Sequence, residues 1–477
     1  MRCRPKSSSR TSTRPPELPR RDSGVGQPVG DDLTAVSLFT GGGIGDLALR
    51  GCGCHVLVAS ELLSDRAAVY RANYPETQTI VGDIRETKSQ IIRAASDLLD
   101  GRALDVLFAT PPCQGMSRNG RGKLLNGIRA GVKPALDPRN TLALQAVEIA
   151  LALDPKVIVF ENVPEMESTL VERADGGVGD LLVTIATSLA PRYAGHWQIV
   201  EFADYGVPQR RQRLITVFSR VDPIKGILAR GGSVLPPPSH SATPSMFTKP
   251  WITVDNALNS VPPLDAGSEA SASHPSVSLH RVPTLDEAKY FWVRNTPTGR
   301  GAFDNQCVNP ACGFTGNPTH GSSHDAQGIN RANRDTPIRC VRCGELLPRP
   351  WVIENGRHRL MAGFTSAYKR MRGDLPASAL TKNLSYACSD QKLHPRQHRV
   401  LSIYEALILH TVSRYDFRWQ RDDGRAVSDK TIREIIGESI PPYGLEVLFR
   451  GILSHLKARN SCFASIDSPV PAANVSS

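Results

Sequence analysis

The stretch Leu104-Asp105-Val106-Leu107-Phe108-Ala109-Thr110-Pro111-Pro112-Cys113-Gln114-Gly115-Met116-Ser117-Arg118-Asn119 decides how the rest of this 477-residue chain reads. Its apolar run, Leu104 to Ala109, has the length and composition of a strand buried on both faces of a parallel sheet. Pro111 and Pro112 end that run, because proline has no N–H to give a ladder. Cys113 therefore stands at or just beyond the strand's carboxyl end, the edge along which open α/β sheets build their sites. Gly115, Ser117, Asn119 and Gly120 make the next segment a loop, and Arg118, Arg121, Lys123, Arg129 and Lys133 make it basic. A thiol on a proline-walled corner beside a cationic loop suits a nucleophile facing a polyanion. For a single cysteine the ordinary alternative is a buried structural thiol, and the neighbouring segments must decide.

Upstream, Leu33 to Phe39 reads as a first strand that runs into Thr40-Gly41-Gly42-Gly43-Ile44-Gly45-Asp46 and then a helix. Glycines at such a turn let a ligand approach the backbone and the helix's free N–H groups. A second strand, His55 to Ser60, ends in Glu61, about twenty residues past the glycines, where dinucleotide folds place an acid on ribose hydroxyls. Gly82-Asp83-Ile84 offers another acid at a strand end. Surface carboxylates are the plain alternative, but two acids behind a Gly-rich turn favour a nucleoside. No P-loop lysine follows the glycines, so a nucleoside triphosphate is not indicated.

Downstream, Lys156 to Phe160 is a strand followed at once by Glu161-Asn162-Val163-Pro164. A buried glutamate there is costly unless something pairs it or uses it. Helical spacing over Asp65–Asn73, Thr87–Leu99 and Asn140–Leu153 alternates with these strands, which predicts a parallel, doubly wound sheet. Trp197–Phe202 and Arg213–Phe218 read as a strand pair joined by a basic connection. Arg211 and Arg213, two apart, share one face of an extended segment and could meet an anion.

The region from Trp251 to Pro395 lacks both helical and βαβ periodicity. Within it lie Cys307-x4-Cys312 and Cys340-x2-Cys343, each pair followed by glycine, the pattern of a four-cysteine zinc site with a structural metal. A basic stretch from His358 to Arg399, with Tyr368 and Tyr386 interleaved, suits nucleic acid or a solvated face. The chain's net charge of +11 favours a nucleic-acid partner. No segment is long and apolar enough to span a bilayer, and no secretory leader is evident at the start. The ten cysteines are too dispersed for a disulfide framework. Expected boundaries are a disordered basic arm (1–30), a catalytic domain (31–235), a recognition domain (236–395), returning C-terminal helices (396–457) and a disordered tail (458–477).

Taken in order, Phe39-Thr40-Gly41-Gly42-Gly43, Glu61, Asp83-Ile84, Pro111-Pro112-Cys113-Gln114-Gly115, Glu161-Asn162-Val163 and Tyr205-Gly206-Val207-Pro208-Gln209-x-Arg211-x-Arg213 resemble the DNA (cytosine-5)-methyltransferase family. The resemblance implies an α/β fold with a doubly wound, mostly parallel sheet of the S-adenosylmethionine-dependent methyltransferase type. A smaller irregular target-recognition domain, here with the four-cysteine zinc site, and a C-terminal helix packed on the first domain complete it. It further implies that Cys113 attacks carbon 6 of a flipped cytosine, Glu161 holds or protonates nitrogen 3, Arg213 stabilises charge near oxygen 2, and Arg211 supports the loop. The methyl donor S-adenosylmethionine is expected on Phe39, Gly41, Gly43, Glu61, Asp83, Ile84 and Pro112. Double-stranded DNA is expected on Gln114, Ser117, Arg118 and Gln209. A monomer in the bacterial cytosol, paired with a separately acting restriction endonuclease, completes the expectation.

Two departures stand out. Gly43-Ile44-Gly45 replaces adjacent glycines, and Gly437-Glu438-Ser439-Ile440-Pro441-Pro442 places a carboxylate where the family usually has asparagine. Competing functions are an RNA cytosine methyltransferase, which the domain-sized stretch between Arg220 and Arg396 disfavours, and a catalytically dead zinc-containing DNA-binding protein, which intact Cys113, Glu161 and Arg213 disfavour.

Overall fold

The computed structural model describes residues 33–112, 137–172, 176–319, 322–324, 330–332, 336–361, 367–389 and 391–463. Strands β1 (Leu33–Leu38), β2 (Cys54–Glu61), β3 (Gln78–Val81), β4 (Val106–Ala109) and β5 (Val157–Asn162) all run parallel. A small antiparallel pair, β6 (Leu170–Glu172) and β7 (Val178–Asp180), stands apart from them. Strands β8 (Ala194–Glu201) and β9 (Gln212–Ser219) complete a seven-stranded sheet of order β3-β2-β1-β4-β5-β9-β8, in which only β9 opposes the rest.

Strand alternation splits the core into two layers. Leu107, Ala109, Ile158 and Phe160 join helices α3 (Ile84–Leu99), α4 (Leu142–Leu153) and α5 (Leu181–Leu189) on one face. Val106, Phe108, Val157 and Val159 meet α1 (Asp46–Gly51), α6 (Ile224–Ala229) and the long C-terminal helix on the other. Every residue of β4 and β5 is buried, as the continuous apolar runs require. The ladder of β4 begins two residues later than Leu104. Asp105 instead turns its carboxylate to the Thr34 backbone N–H (2.8 Å) and to Lys156 Nζ (2.6 Å), tying β1, β4 and β5 at their amino ends.

The segment after β9 has little regular structure, as its lack of periodicity predicts. Beyond α6, its only α-helices among the described residues before the C-terminal set are α7 (Val254–Leu258) and α8 (Glu287–Arg294). A small core gathers there around Trp292, Phe303, Tyr368 and Leu393, and a separate knot forms around Cys307, Cys340 and Leu347. Helices α9 (Ile403–Leu409) and α10 (Asp429–Glu438) then return to pack with Val69, Tyr70 and Tyr74, the last two at and beside the end of α2 (Ser64–Asn73). Helix α11 (Pro442–Phe463) lies against α1, with Phe449 edge-on to Phe108 at 5.2 Å between ring centres.

Candidate active site

The sheet's carboxyl edge is laced by short hydrogen bonds that fix the strand ends relative to one another. Thr110 donates its N–H to Leu38 and its hydroxyl to the Phe39 carbonyl (2.9 Å), joining the ends of β1 and β4. Asn162, at the end of β5, donates its amide to the Pro111 carbonyl (3.1 Å) while its own carbonyl accepts from Val163 N–H (2.8 Å). The Pro111–Pro112 corner is thus clamped from two sides immediately before Cys113. Cys113 itself, with Gln114, Ser117 and Arg118, lies outside the described residues.

Glu161 points from β5 to the opposite face from Asn162, as strand alternation demands. Its Oε1 accepts from Arg213 Nε at 2.7 Å, and the two side chains are 8% and 15% exposed. Burial pushes the Glu161 carboxyl above its usual range, and the charges of Arg213 and Arg211 oppose that shift. A buried carboxyl whose proton is held more firmly than usual beside a cation is a candidate for proton transfer. Arg211 lies just before β9 and turns away, donating to the carbonyls of Leu380 (3.0 Å) and Gly437 (3.1 Å). It therefore acts on Glu161 through its charge and on the fold as a clamp.

Gln209, expected at DNA, is fully buried in this structure. Its carbonyl accepts from Leu380 N–H (3.1 Å), and its amide reaches His410 Nδ1 (3.1 Å). It ties the β8–β9 connection to the C-terminal helices. Gly437 serves the same junction, since a Cβ there would lie 2.3 Å from Lys382 N.

At the Gly-rich turn, Glu61 accepts from the N–H groups of Gly41 (2.8 Å) and Leu63 (2.9 Å). Those bonds orient the carboxylate while burial raises its pKa. Gly41 has a φ of +57°, and a Cβ built on it would meet nothing within 4 Å. The turn thus opens onto free space beside an oriented acid. Thr40 Oγ1 is buried there without a partner among the described residues. This open cradle, an orphaned hydroxyl and a fixed carboxylate fit a nucleoside carrying ribose hydroxyls. Phe39 is half-buried against the core at the turn's entrance, with a φ of +61°.

Two residues expected in the same pocket behave differently. Asp83 caps α3 and holds Arg85 Nε at 2.9 Å, which lowers its carboxyl to about 2. Lone pairs remain on both oxygens for an exocyclic amine. Ile84, expected against the ring face, is 4% exposed and packed with the α3 layer, so it supplies floor to the core more than surface to a ligand.

Reasoning from the sequence missed a second line of support. Asp46, one residue past the glycines, is fully buried and accepts from Ser37 Oγ (2.7 Å) and Tyr70 OH (2.8 Å). Burial raises its carboxyl to about 6. Tyr74 stacks on Tyr70 and donates to the Gly43 carbonyl (2.7 Å). The only sequence signal for this scaffold is the pair of tyrosines four apart, Tyr70 in the last turn of α2 and Tyr74 just past its end. Glu438 is also placed by this structure: it shares Arg66 Nη2 with Glu434 at 3.4 and 3.0 Å. The Arg66 charge lowers the Glu61 carboxyl and so opposes Glu438, which raises it.

The four cysteines converge. Their sulfurs lie within 4.8 Å of one another, with Cys307–Cys343 at 3.6 Å and Cys312–Cys340 at 3.9 Å. Four sulfurs about 2.3 Å from a central zinc would be roughly 3.8 Å apart, so the set has the size of a tetrahedral site.

A profile of the C-5 cytosine-specific DNA methylase family matches residues 33–454. The chain belongs to that family. As a C-5 cytosine DNA methylase it is 26% identical over 432 residues to the type II methyltransferase M1.HgaI of Avibacterium volantium, covering 89% of this chain and 99% of the relative. It is 28% identical to the type II methyltransferase M.AquIA of a Picosynechococcus strain over 48% of this chain and 88% of that one. Against M.HhaI of Haemophilus parahaemolyticus the identity is 30%, over 40% of this chain and 50% of the relative. The enzyme therefore methylates carbon 5 of cytosine in DNA, and the mostly parallel sheet is the methyltransferase fold.

Proposed function

We propose that this enzyme modifies one specific duplex sequence by nucleophilic catalysis from Cys113, with Glu161 and Arg213 managing the charge that the attack creates. The observation that carries the proposal is the buried Glu161–Arg213 pair at 2.7 Å, beside a proline corner that Asn162 clamps directly ahead of Cys113. The Cys113 thiolate adds to carbon 6, and the electron pair pushed into the ring needs a proton or a cation near nitrogen 3 and oxygen 2. Glu161 holds the proton at nitrogen 3, and Arg213 faces oxygen 2 while keeping Glu161 oriented. Arg211 positions this pair through the Leu380 and Gly437 carbonyls. S-Adenosylmethionine, when bound, supplies the methyl group that carbon 5 takes. Loss of the carbon 5 proton then lets the Cys113–carbon 6 bond break.

Phe39, Gly41, Gly43, Glu61, Asp83, Ile84 and Pro112 would hold the donor, with Glu61 on the ribose and Asp83 on the adenine amine. The open space at Gly41 and the oriented Glu61 support this reading. Arg66 compensates Glu438, which makes a carboxylate tolerable at that end of the pocket. Gln114, Ser117 and Arg118 would face DNA. Cys307, Cys312, Cys340 and Cys343 would bind one structural zinc ion, a use their sulfur spacing supports. Four thiolates complete a tetrahedron, so such an ion would hold the recognition segment together without taking part in the reaction.

The type II relatives support a role as the modification half of a restriction–modification pair, acting as a monomer in a bacterial cytosol while the endonuclease works separately. No helix among the described residues is long and apolar enough to cross a membrane. Expression in a methylation-free bacterium followed by bisulfite sequencing tests the reading. One consensus modified nearly completely is expected. Scattered or absent 5-methylcytosine would overturn sequence-specific modification.

A further inference from the structure

The chain places two large apolar side chains side by side in water at a rigid tip. Met246 is 88% exposed and Phe247 is 85% exposed. Large apolar side chains are costly to leave in water, and an adjacent exposed pair on an ordered turn is a candidate contact surface. The turn is held tightly. Ser245 and Thr248 exchange backbone hydrogen bonds of 3.2 and 3.3 Å, and the Ser245 hydroxyl accepts from Phe247 N–H at 3.2 Å. These bonds present the two side chains outward and leave them no path back to the core.

The root of this finger lies on the catalytic edge of the sheet. Strand β8 runs parallel to β5, since both oppose β9, so its carboxyl end is on the same edge as Glu161. The short 3-10 turn Phe202–Tyr205 that follows β8 carries both ends of the finger. Ser239 N–H donates to the Asp204 carbonyl (3.0 Å), and Trp251 Nε1 donates to the Asp204 carboxylate (2.8 Å). Between them, Lys249 N–H bonds to the Ser239 carbonyl at 2.9 Å. Cations surround the root. Exposed Lys249 follows the tip, Arg210 lies over the Trp251 ring at 5.6 Å, and exposed Arg414 lies over the Tyr443 ring beside Gly206. The acids at the root are engaged: Asp204 accepts from Trp251, and Glu201 accepts from the Arg211 N–H (2.6 Å) and pairs with Arg210 (3.8 Å).

We propose that the Met246–Phe247 tip is a wedge that enters the DNA duplex and stacks at a base step opened near the target cytosine. An apolar tip on a root that carries cations and lies on the catalytic edge fits a ligand that is polyanionic outside and flat and apolar within. Phe and Met are among the side chains that unstack base steps in this way. The wedge offsets part of the unstacking cost of extruding the target base. This inference rests on the DNA-methylating reading of the site and adds a residue pair to it.

The test uses the full-length enzyme and a duplex bearing the site that the wild-type protein methylates in cells. Phe247→Ala and the double variant Met246→Ala/Phe247→Ala should bind that duplex about tenfold more weakly or worse, because one lost base–aromatic stack is worth ~1–3 kcal/mol. The slope of log affinity against log salt should stay unchanged, since no phosphate contact is lost. Lys249→Ala should instead lower that slope by about one. S-Adenosylmethionine binding should match wild type in all three, which also shows that they fold. A 2-aminopurine placed beside the target should brighten with wild type and less with Phe247→Ala. The proposal is overturned if both alanine variants bind DNA within about twofold of wild type. It is equally overturned if sedimentation shows that they lose only a self-association of the wild-type chain. A wild type that leaves the site unmethylated would defeat the underlying reading instead, so the two failures are distinguishable.

Discussion

Replacing Glu161 by glutamine isolates the proton from everything else this residue does. The side chain is 8% exposed and its Oε1 accepts from Arg213 Nε at 2.7 Å. Glutamine has the same shape and retains a carbonyl oxygen for that bond, but it cannot deliver a proton or balance the arginine's charge. Loss of a positioned general acid costs about 10²–10⁴ in rate, or ~3–5 kcal/mol of barrier. The stability cost should be smaller, on the order of 1 kcal/mol, because a charged hydrogen bond becomes a neutral one and no group is left unpaired. Glu161→Ala should cost more stability, about 2–3 kcal/mol, by taking the carboxylate from a half-buried Arg213. Single-turnover transfer of a radiolabelled methyl group, with a thermal melt of each variant, separates the two effects. The wild-type rate should also fall as pH rises through the raised Glu161 pKa, and glutamine should remove that dependence. A glutamine variant that methylates at the wild-type rate would refute the acid role and leave Glu161 as a paired buried carboxylate.

Two further outcomes follow from the surrounding structure. Asp46 has a folded pKa of about 6 against an ordinary 3.8, raised by burial. Its contribution to stability is therefore fully present below pH ~4 and is lost as pH rises through 6, by up to about 3 kcal/mol. Asp46→Asn should flatten that part of the stability–pH curve in chemical denaturation, and an unchanged curve would exclude Asp46 as its source. At the cysteine knot, elemental analysis should find one zinc per chain, and Cys340→Ser should lose it and weaken specific DNA binding more than S-adenosylmethionine binding. Equal losses would mean that the knot supports the whole fold.

The sheet was legible because its strands are buried on both faces and end in unmistakable breakers. Leu104–Ala109 and Lys156–Phe160 could hardly be anything else, and the polar residues after them had to lie on one edge. Glu161 and Arg213 were readable for the same reason, each being a charged group next to a buried run. The partners that make the site rigid were not. Asn162 holds Pro111 across 51 positions, and Gln209 reaches His410 across 201, so neither leaves a local pattern. The burial of Gln209 was not readable either, because a polar residue in a basic loop resembles a surface group until the chain that covers it is known. The cysteines were legible through their paired spacing. The Met246–Phe247 tip was not, since two apolar residues between prolines carry no periodicity at all.

The central claim is that this enzyme works through a covalent bond from Cys113 to carbon 6. A duplex carrying 5-fluorocytosine at the methylated position tests it most directly, because fluorine cannot leave as the carbon 5 proton does and the adduct persists. With S-adenosylmethionine present, wild type should form a complex that survives denaturant, and peptide mapping should place the modified base on Cys113. Cys113→Ser should form none, since a hydroxyl is far less ionised than a thiol at neutral pH. A wild-type enzyme that methylates ordinary DNA yet yields no such adduct, or one linked through another residue, would contradict the account.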